Sequence, residues 1–210
     1  MELHDQIVVV TGAGQGIGQG IAQAFGAEGS AVIVNDLRQA TAEATAASIR
    51  QNGGRAIGVQ ADVGDRAQVA ALFEAARVAF GPVTTLVNNA GYVPYEPAIG
   101  YPPDVWDRTI ATNLTGVFNC TQAALTHMVE RGGGSIVNIA SVHSRSTLPG
   151  TLAYAATKAG VVSMTRTLAL EVGSKKIRVN AVSPGAIETE GLKVYFDSCP
   201  MPSGRPLTPN

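Results

Sequence analysis

The sequence has almost no net charge and therefore lacks the usual feature of a protein with a polyanionic partner. Of its 210 residues, 15 are basic and 16 are acidic, which gives a formal net charge of −1. Proteins that bind nucleic acids or anionic membranes usually present a basic surface, and this composition offers no excess of positive charge. We therefore expect no nucleic-acid partner and no membrane partner.

Cysteines and long apolar runs are also scarce. The two cysteines, Cys120 and Cys199, do not have the spacing of a metal site, so we expect two free thiols and no bound metal. The N-terminal segment MELHDQIVVVTG has no basic region, and its apolar run is too short for a signal peptide or a membrane span. The compartment that we expect is the cytoplasm.

Short β-branched runs alternate with amphipathic stretches along the chain. The predicted strands cover residues 7–11, 31–36, 55–62, 83–89, 135–141 and 177–183. The predicted helices cover residues 17–28, 39–52, 65–80, 104–131 and 152–173, and Asp65 is placed to cap the third. Strands that are apolar on both faces and alternate with helices are typical of a parallel sheet covered on both sides. We predict a doubly wound α/β fold.

Polar residues or glycines follow every predicted strand. They are Thr11-Gly12, Asp36, Asp62, Asn88-Asn89, Ser141 and Ser183-Pro184. In an open parallel sheet the ligand binds outside the carboxyl ends of the strands, near the point where the strand order reverses. The distribution of polar residues therefore predicts a binding site at this edge.

A glycine-rich turn joins the first strand to the first helix. In TGAGQGIG (residues 11–18) the spacing differs from G-x-G-x-x-G, but it meets the same need for a tight turn and close approach of a pyrophosphate to a helix N-terminus. Asp36 follows Gly18 by 18 positions, where a carboxylate can accept hydrogen bonds from ribose hydroxyls. A 2′-phosphate would meet a like charge there, and residue 15 is Gln rather than a basic residue. The sequence therefore favours NAD over NADP, with Arg38 as the only nearby cation.

Tyr154 and Lys158 stand four positions apart in AYAATKAG (residues 153–160), a stretch of small residues. On a helix this spacing places both side chains on one face. A tyrosine with its ordinary pKa of ~10 is a poor base at neutral pH. A neighbouring ammonium group favours the phenolate and so lowers that pKa, which makes the pair suggestive of a reactive site.

With these motifs together, the chain resembles the short-chain dehydrogenase/reductase family from residue 5 to about 190. The resemblance rests on TGAGQGIG, NNAG (88–91), Asn113, Ser141, YAATK and SPGAIET (183–189). Ser141 precedes Tyr154 by 13 positions, the spacing that this family uses. The resemblance implies a Rossmann fold, a nicotinamide cofactor, and an oxidoreductase that acts on a secondary alcohol or ketone.

The resemblance also implies roles for individual residues. Tyr154 would be the general acid/base, and Lys158 would lower its pKa and hold the nicotinamide ribose. Ser141 would orient the substrate oxygen, and Asn113 would support a water molecule beside Lys158. The implied cofactor-binding residues are Gly12, Gln15, Gly16, Ile17, Gly18, Asp36, Asp62, Val63, Asn89, Ala90, Gly91, Tyr154, Lys158, Pro184, Gly185, Ile187 and Thr189. The implied substrate-binding residues are Ser141, His143 and Tyr154.

The substrate is less well defined. The runs SVHS (141–144) and PGAIET resemble the glucose 1-dehydrogenase branch, which suggests a sugar or polyol, while the 3-oxoacyl-ACP reductase branch is the alternative. His143 is either a substrate contact or a residue behind the site. A nucleotide-binding protein without useful turnover is a further alternative.

Residues 1–190 are predicted to form the dinucleotide-binding domain with the catalytic residues, and 191–210 a loop-like, truncated tail. Relative to the family, the last helix and strand are expected to be missing. The strand at 177–183 would then form a sheet edge that carries Ile177, Val179 and Val182. Family members are commonly tetramers. We expect a homo-oligomer no larger than a dimer, formed through the helices at 104–131 and 152–173.

Overall fold

A computed structural model describes residues 3–187 of the chain. Its strands are β1 (Ile7–Val10), β2 (Ala31–Asp36), β3 (Arg55–Gln60), β4 (Thr85–Asn88), β5 (Gly134–Ile139) and β6 (Ile177–Val182). Its α-helices are α1 (Gly16–Ala27), α2 (Gln39–Gln51), α3 (Arg66–Phe80), α4 (Pro103–Ile110), α5 (Gly116–Arg131) and α6 (Leu152–Val172). The strands form one parallel sheet in the order β3-β2-β1-β4-β5-β6. The order reverses between β1 and β4, so the predicted doubly wound fold is confirmed.

Alternation along the strands divides the core into two layers. On β1, Val9 packs with residues of α3 and α5, whereas Val8 and Val10 pack with residues of α1 and α2. Both faces of the central strands are therefore buried, which explains their continuous apolar runs. No helix of the described residues is long and apolar enough to cross a membrane.

The predicted strands and most predicted helices agree with the structure within one to three residues. The side chain of Asp65 caps α3 as predicted, because it accepts hydrogen bonds from the backbone N–H groups of Ala67 (2.8 Å) and Gln68 (3.2 Å). The predicted helical stretch 104–131 is helical throughout, but it is not a regular α-helix over its whole length. Five residues, Ala111–Thr115, form a π-helical turn that separates α4 from α5.

Strand β6 forms one edge of the sheet among the described residues. The expectation of an apolar edge strand is only partly correct. Ile177 and Val179 are buried on the side of the sheet that α6 covers, whereas Arg178, Asn180 and Val182 lie on the exposed face. The expectations for Thr189 and for the tail at 191–210 lie outside the described residues.

Candidate active site

The glycine turn between β1 and α1 is shaped by close packing against the segment that follows β4. Gly12 and Gly16 have positive φ values of 61° and 57°, which favour glycine. A Cβ added to Gly12 would lie 2.7 Å from the Cα of Ala90, so a side chain has no room there. The first turn of α1 has no side-chain cap and no acidic residue. Its backbone N–H groups are therefore suited to bind an anion such as a pyrophosphate.

Hydrogen bonds hold this turn to the segment after β4. The Asn89 side-chain amide donates to the carbonyl oxygens of Thr11 and Gly12, each at 3.0 Å. The Thr11 hydroxyl oxygen accepts from the backbone N–H groups of Asn89 and Ala90, also at 3.0 Å. Asn89 and Ala90 therefore help to set the position of the glycine turn.

The carboxylate of Asp36 is fixed at the end of β2. One oxygen accepts from the Thr41 hydroxyl at 2.8 Å and from the backbone N–H of Arg38 at 3.1 Å. The other oxygen accepts from the backbone N–H of Gly14 at 3.1 Å. The carboxylate is thus tied to both the glycine turn and α2, and it lines the cleft beside them. Sequence reasoning missed Gly14, although its place inside the glycine motif was a usable signal.

A cleft of about 250 Å³ lies at the carboxyl edge where the strand order reverses. The predicted residues that line it are Gly12, Asp36, Asp62, Val63, Ala90 and Gly91. Tyr92 also lines it, and the lining residues that were not predicted are Asn35, Leu37, Ala61, Arg108, Ala111 and Thr112. Gln15, Gly16, Ile17 and Gly18 belong to the adjoining turn and first turn of α1. The size and polarity of the cleft suit part of a nucleotide. The glycines of the turn have no side chains, so their backbone stays accessible to a ligand in the cleft.

Arg108 lines this cleft, although no motif in the sequence includes it. Its guanidinium lies 4.3 Å from the centre of the Tyr92 ring, a cation–π contact. Arg108 lies one helical turn before Thr112, and Thr112 directly precedes Asn113. That spacing was the available signal, but a single arginine on a predicted helix is ordinarily a solvated residue.

Helix α6 brings Tyr154 and Lys158 to one place, as their spacing predicted. The Lys158 Nζ lies 5.6 Å from the centre of the Tyr154 ring. Lys158 is buried, and its ammonium group donates to the carbonyl oxygen of Ile139 at 2.6 Å. Ser141, just beyond β5, lies close enough to the Tyr154 hydroxyl to lower the pKa of that hydroxyl. Three of the four predicted catalytic residues are therefore adjacent.

Burial dominates the protonation equilibria of this group. It lowers the pKa of Lys158 to about 8. It also raises the pKa of Tyr154, and the nearby Ser141 side chain offsets part of that increase. In the chain without a cofactor the pKa of Tyr154 is therefore raised rather than lowered, because desolvation of the phenolate is the largest influence on it. At neutral pH Lys158 still carries its proton.

Asn113 reaches the same site from the π-helical turn. Its side-chain oxygen accepts from the backbone N–H of Tyr92 at 2.7 Å, and its amide donates to the carbonyl of Tyr92 at 2.8 Å. A Cβ added to Gly91 would lie 3.8 Å from both the Asn113 side-chain oxygen and Lys158 Nζ. The π-helical turn therefore brings Asn113 beside Lys158 and ties it to the segment after β4.

His143 and the segment after β6 complete the edge. The His143 ring centre is 5.7 Å from that of Tyr154, in an edge-to-face arrangement. The Pro184 carbonyl accepts from the backbone N–H of Val142 at 3.1 Å, which joins the two segments. Gly185 and Ile187 follow on the same strand end and are exposed. Thr189 lies outside the described residues.

A larger hollow, about 880 Å³, lies at the opposite end of the sheet against β4, β5 and β6. None of the predicted site residues lines it. Its walls are largely backbone of Arg131–Gly134 and residues of β6. The smaller cleft has the fixed carboxylate, the close-packed glycines and the buried lysine beside it, so chemistry rather than volume identifies the active site.

A dinucleotide fold with an adjacent serine, tyrosine and lysine defines a class of nicotinamide-dependent dehydrogenases. A family model for short chain dehydrogenases matches residues 6–199. The 3beta-hydroxysteroid dehydrogenase 1 of Eggerthella lenta is 44% identical over 190 residues, which cover 90% of this chain and 73% of that protein. The glucose 1-dehydrogenase 2 of Bacillus subtilis is 39% identical over 196 residues, with 90% and 74% covered.

A solved structure agrees with these matches. A short-chain type dehydrogenase/reductase from Mycobacterium marinum superposes with a TM-score of 0.89 at 33% identity, covering 93% of this chain and 80% of that one. The chain belongs to the short-chain dehydrogenase/reductase family. It is an oxidoreductase that acts on CH–OH groups and uses a nicotinamide cofactor.

Proposed function

We propose that the chain is an NAD-dependent dehydrogenase that interconverts a secondary alcohol and a ketone, with a sugar or polyol as substrate. The observation that carries this proposal is the arrangement of Ser141, Tyr154 and Lys158 beside a cleft that contains the fixed carboxylate of Asp36. Ser141, Tyr154 and Lys158 are suited to move a proton on a substrate oxygen. Asp36 is suited to bind the adenosine ribose.

The residues of the chain have separate tasks in this reaction. The Ser141 hydroxyl oxygen accepts from the backbone N–H of His143 at 3.2 Å, and its one proton would turn to the substrate oxygen when substrate binds. The Tyr154 oxygen takes the hydroxyl proton during oxidation and returns it during reduction. The Lys158 ammonium group stabilises the resulting phenolate. The bound nicotinamide supplies the hydride acceptor or donor.

Asp36 supports the choice of NAD. Three hydrogen bonds to its carboxylate use three of its about four acceptor sites, which leaves one on Oδ2 for a ribose hydroxyl, and they restrict the side chain from turning away. A 2′-phosphate at the same place would face this fixed negative charge. Arg38 is the nearest competing cation, and its guanidinium donates to the Gln15 side chain at 3.4 Å. The Asp36 carboxylate accepts three hydrogen bonds, whereas the Arg38 guanidinium makes one at 3.4 Å. Because the carboxylate is fixed more firmly than the cation, we infer a preference for NAD.

The substrate class rests on a narrower basis. The first two relatives above are named for a hydroxysteroid and for glucose, so similarity alone leaves the class open. His143 favours a polyol, since its ring borders Tyr154 and carries a polar nitrogen. A 3-oxoacyl thioester is the alternative substrate.

A panel of substrates tests the function. Purified protein would be assayed with NAD⁺ and NADP⁺ against glucose, threitol, butane-2,3-diol, a 3β-hydroxysteroid and a 3-hydroxyacyl thioester, with cofactor binding followed by fluorescence. We expect NADH formation from a sugar or polyol. Preferred oxidation of the steroid or thioester would replace the proposed substrate class. Cofactor binding without any turnover would favour a nucleotide-binding role and contradict the proposal.

We also infer that the protein self-associates through α5 and α6, as the family resemblance implies. Both helices expose large apolar side chains, including Phe118 and Val129 on α5 and Leu152 and Leu170 on α6. Exposed apolar side chains on two long helices offer surface that a partner can cover. Light scattering should give a dimer, and replacing Val129 and Leu170 by serine should shift it toward monomer. A wild-type monomer at micromolar concentration would contradict this inference.

A further inference from the structure

A buried hydroxyl cluster lies behind His143, in the segment that joins β5 to α6. Thr151 immediately precedes α6 and is fully buried. Threonine at this position commonly caps a helix, but here its side chain makes no capping hydrogen bond. Instead its hydroxyl contacts the Leu148 carbonyl at 2.7 Å, the Thr147 hydroxyl at 3.0 Å and His143 Nδ1 at 3.4 Å. The hydroxyl is thus committed to the segment that carries His143.

The number of protons in this cluster determines which nitrogen of His143 is protonated. A threonine hydroxyl has one proton to donate and can accept two hydrogen bonds. The shortest contact of Thr151 is to the Leu148 carbonyl, which can only accept, so the proton of Thr151 points there. Thr147 then donates to Thr151. The remaining contact, to His143, requires His143 Nδ1 to be the donor.

We propose that Thr151 is a positioning residue that holds His143 in the Nδ1–H tautomer, so that Nε2 presents a hydrogen-bond acceptor to a substrate hydroxyl next to the reacting carbon. This rests on the proposed function. In the neutral ring, a protonated Nδ1 leaves an unprotonated Nε2. No described residue bonds to Nε2. Burial lowers the pKa of His143, which keeps the ring neutral at the pH of an assay.

The position of His143 makes this acceptor relevant to substrate choice. Its backbone N–H donates to the Ser141 hydroxyl oxygen, and its ring packs edge-to-face on Tyr154. The imidazole therefore borders the two residues that hold the reacting oxygen. An acceptor there favours a diol over a simple alcohol, since the second hydroxyl gains a partner.

His127 provides an internal reference of opposite tautomer. Its Nδ1 accepts a hydrogen bond from the backbone N–H of Val83 at 3.1 Å, so its proton is on Nε2. Burial lowers the pKa of His127 as well. The sequence contains three histidines, and the third, His4, is exposed. A spectrum of the histidine rings thus has few signals to assign.

The test is a long-range ¹H–¹⁵N spectrum of the histidine rings at pH 8, with signals assigned from His127→Gln and His143→Gln. We expect Nδ1–H for His143 and Nε2–H for His127. Thr151→Val keeps the shape but removes the hydroxyl, and should move His143 to Nε2–H. Thr151→Ser should retain the wild-type tautomer, as should Thr147→Val. An Nε2–H ring in the wild type, or an unchanged ring in Thr151→Val, would overturn the proposal.

A kinetic comparison tests the consequence for specificity. The ratio of kcat/KM for butane-2,3-diol to that for butan-2-ol should change by up to about tenfold in Thr151→Val, because the second hydroxyl then meets an Nε2–H donor in place of an acceptor, and it should recover in Thr151→Ser. An unchanged ratio despite a changed tautomer would overturn the role in specificity. If neither alcohol is oxidised by the wild type, the proposed function fails in this assay, and the spectra still decide the role of Thr151.

Discussion

Replacing Lys158 by Met should change how the stability of the protein depends on pH. Met has a similar length but no charge, so the variant removes the buried ammonium group and keeps most of the packing. In the folded chain burial lowers the Lys158 pKa from 10.5 to about 8. Between these two values the unfolded chain holds a proton that the folded chain has released.

The sign and size of the effect follow from this difference. Because the unfolded state binds more protons between about pH 8 and pH 10.5, raising the pH through this window stabilises the folded wild type. At ~1.4 kcal/mol for each pH unit between the two pKa values, the buried charge costs about 3 kcal/mol at neutral pH. The variant also loses the hydrogen bond to the Ile139 carbonyl, a loss of about 1 kcal/mol that does not vary with pH.

Urea unfolding of both proteins without cofactor, at pH 7, 8, 9 and 10, measures this effect. We expect the variant to be the more stable protein at pH 7 and to lose most of that advantage by pH 10. Comparing the two proteins cancels other titrating groups, such as Cys120, whose thiol pKa burial raises to about 12. Lys175→Met, at an exposed lysine, is the control and should leave the pH dependence unchanged. A stability difference that is constant with pH would refute the reasoning.

Three further changes test other parts of the site. Asp36→Ala should reduce the ratio of NAD to NADP affinity by about tenfold, ~1.4 kcal/mol, in fluorescence titrations, and an unchanged ratio would contradict the role of the carboxylate. Asn113→Leu removes two hydrogen bonds to the backbone of Tyr92 and should lower the free energy of unfolding by about 1–3 kcal/mol in urea. Gly18→Ala places a Cβ against a neighbouring amide and carbonyl and should weaken NADH binding, whereas Gly20→Ala, which meets open space, should not. Equal binding by the two glycine variants would show that close packing at residue 18 is unimportant.

Much of the architecture was predictable because it depends on short-range sequence patterns. Continuous apolar runs such as IVVV mark strands buried on both faces, and β1 has that environment. The four-residue spacing of Tyr154 and Lys158 was sufficient to place both side chains on one side of α6. Asp36 was predictable for a similar reason, since it ends a strand beside the glycine turn.

The interruption between α4 and α5 could not be predicted from local pattern. Residues 104–131 read as one amphipathic helix, and the π-helical turn within it carries Asn113, whose side chain bonds to the backbone of Tyr92, 21 positions earlier in the chain. The direction of the Tyr154 pKa was missed for a related reason. A sequence shows that a lysine is near a tyrosine, but the degree to which folding removes water from both groups depends on the tertiary structure.

The central claim is that Tyr154 exchanges a proton with the substrate oxygen in an NAD-dependent oxidation. Tyr154→Phe keeps the ring and removes the hydroxyl, so the most direct measurement is kcat for NADH formation by this variant and the wild type, with the best alcohol of the panel. We predict a loss of about 10²–10⁴-fold in kcat with NADH affinity nearly unchanged. Near-normal turnover by Tyr154→Phe would contradict the account.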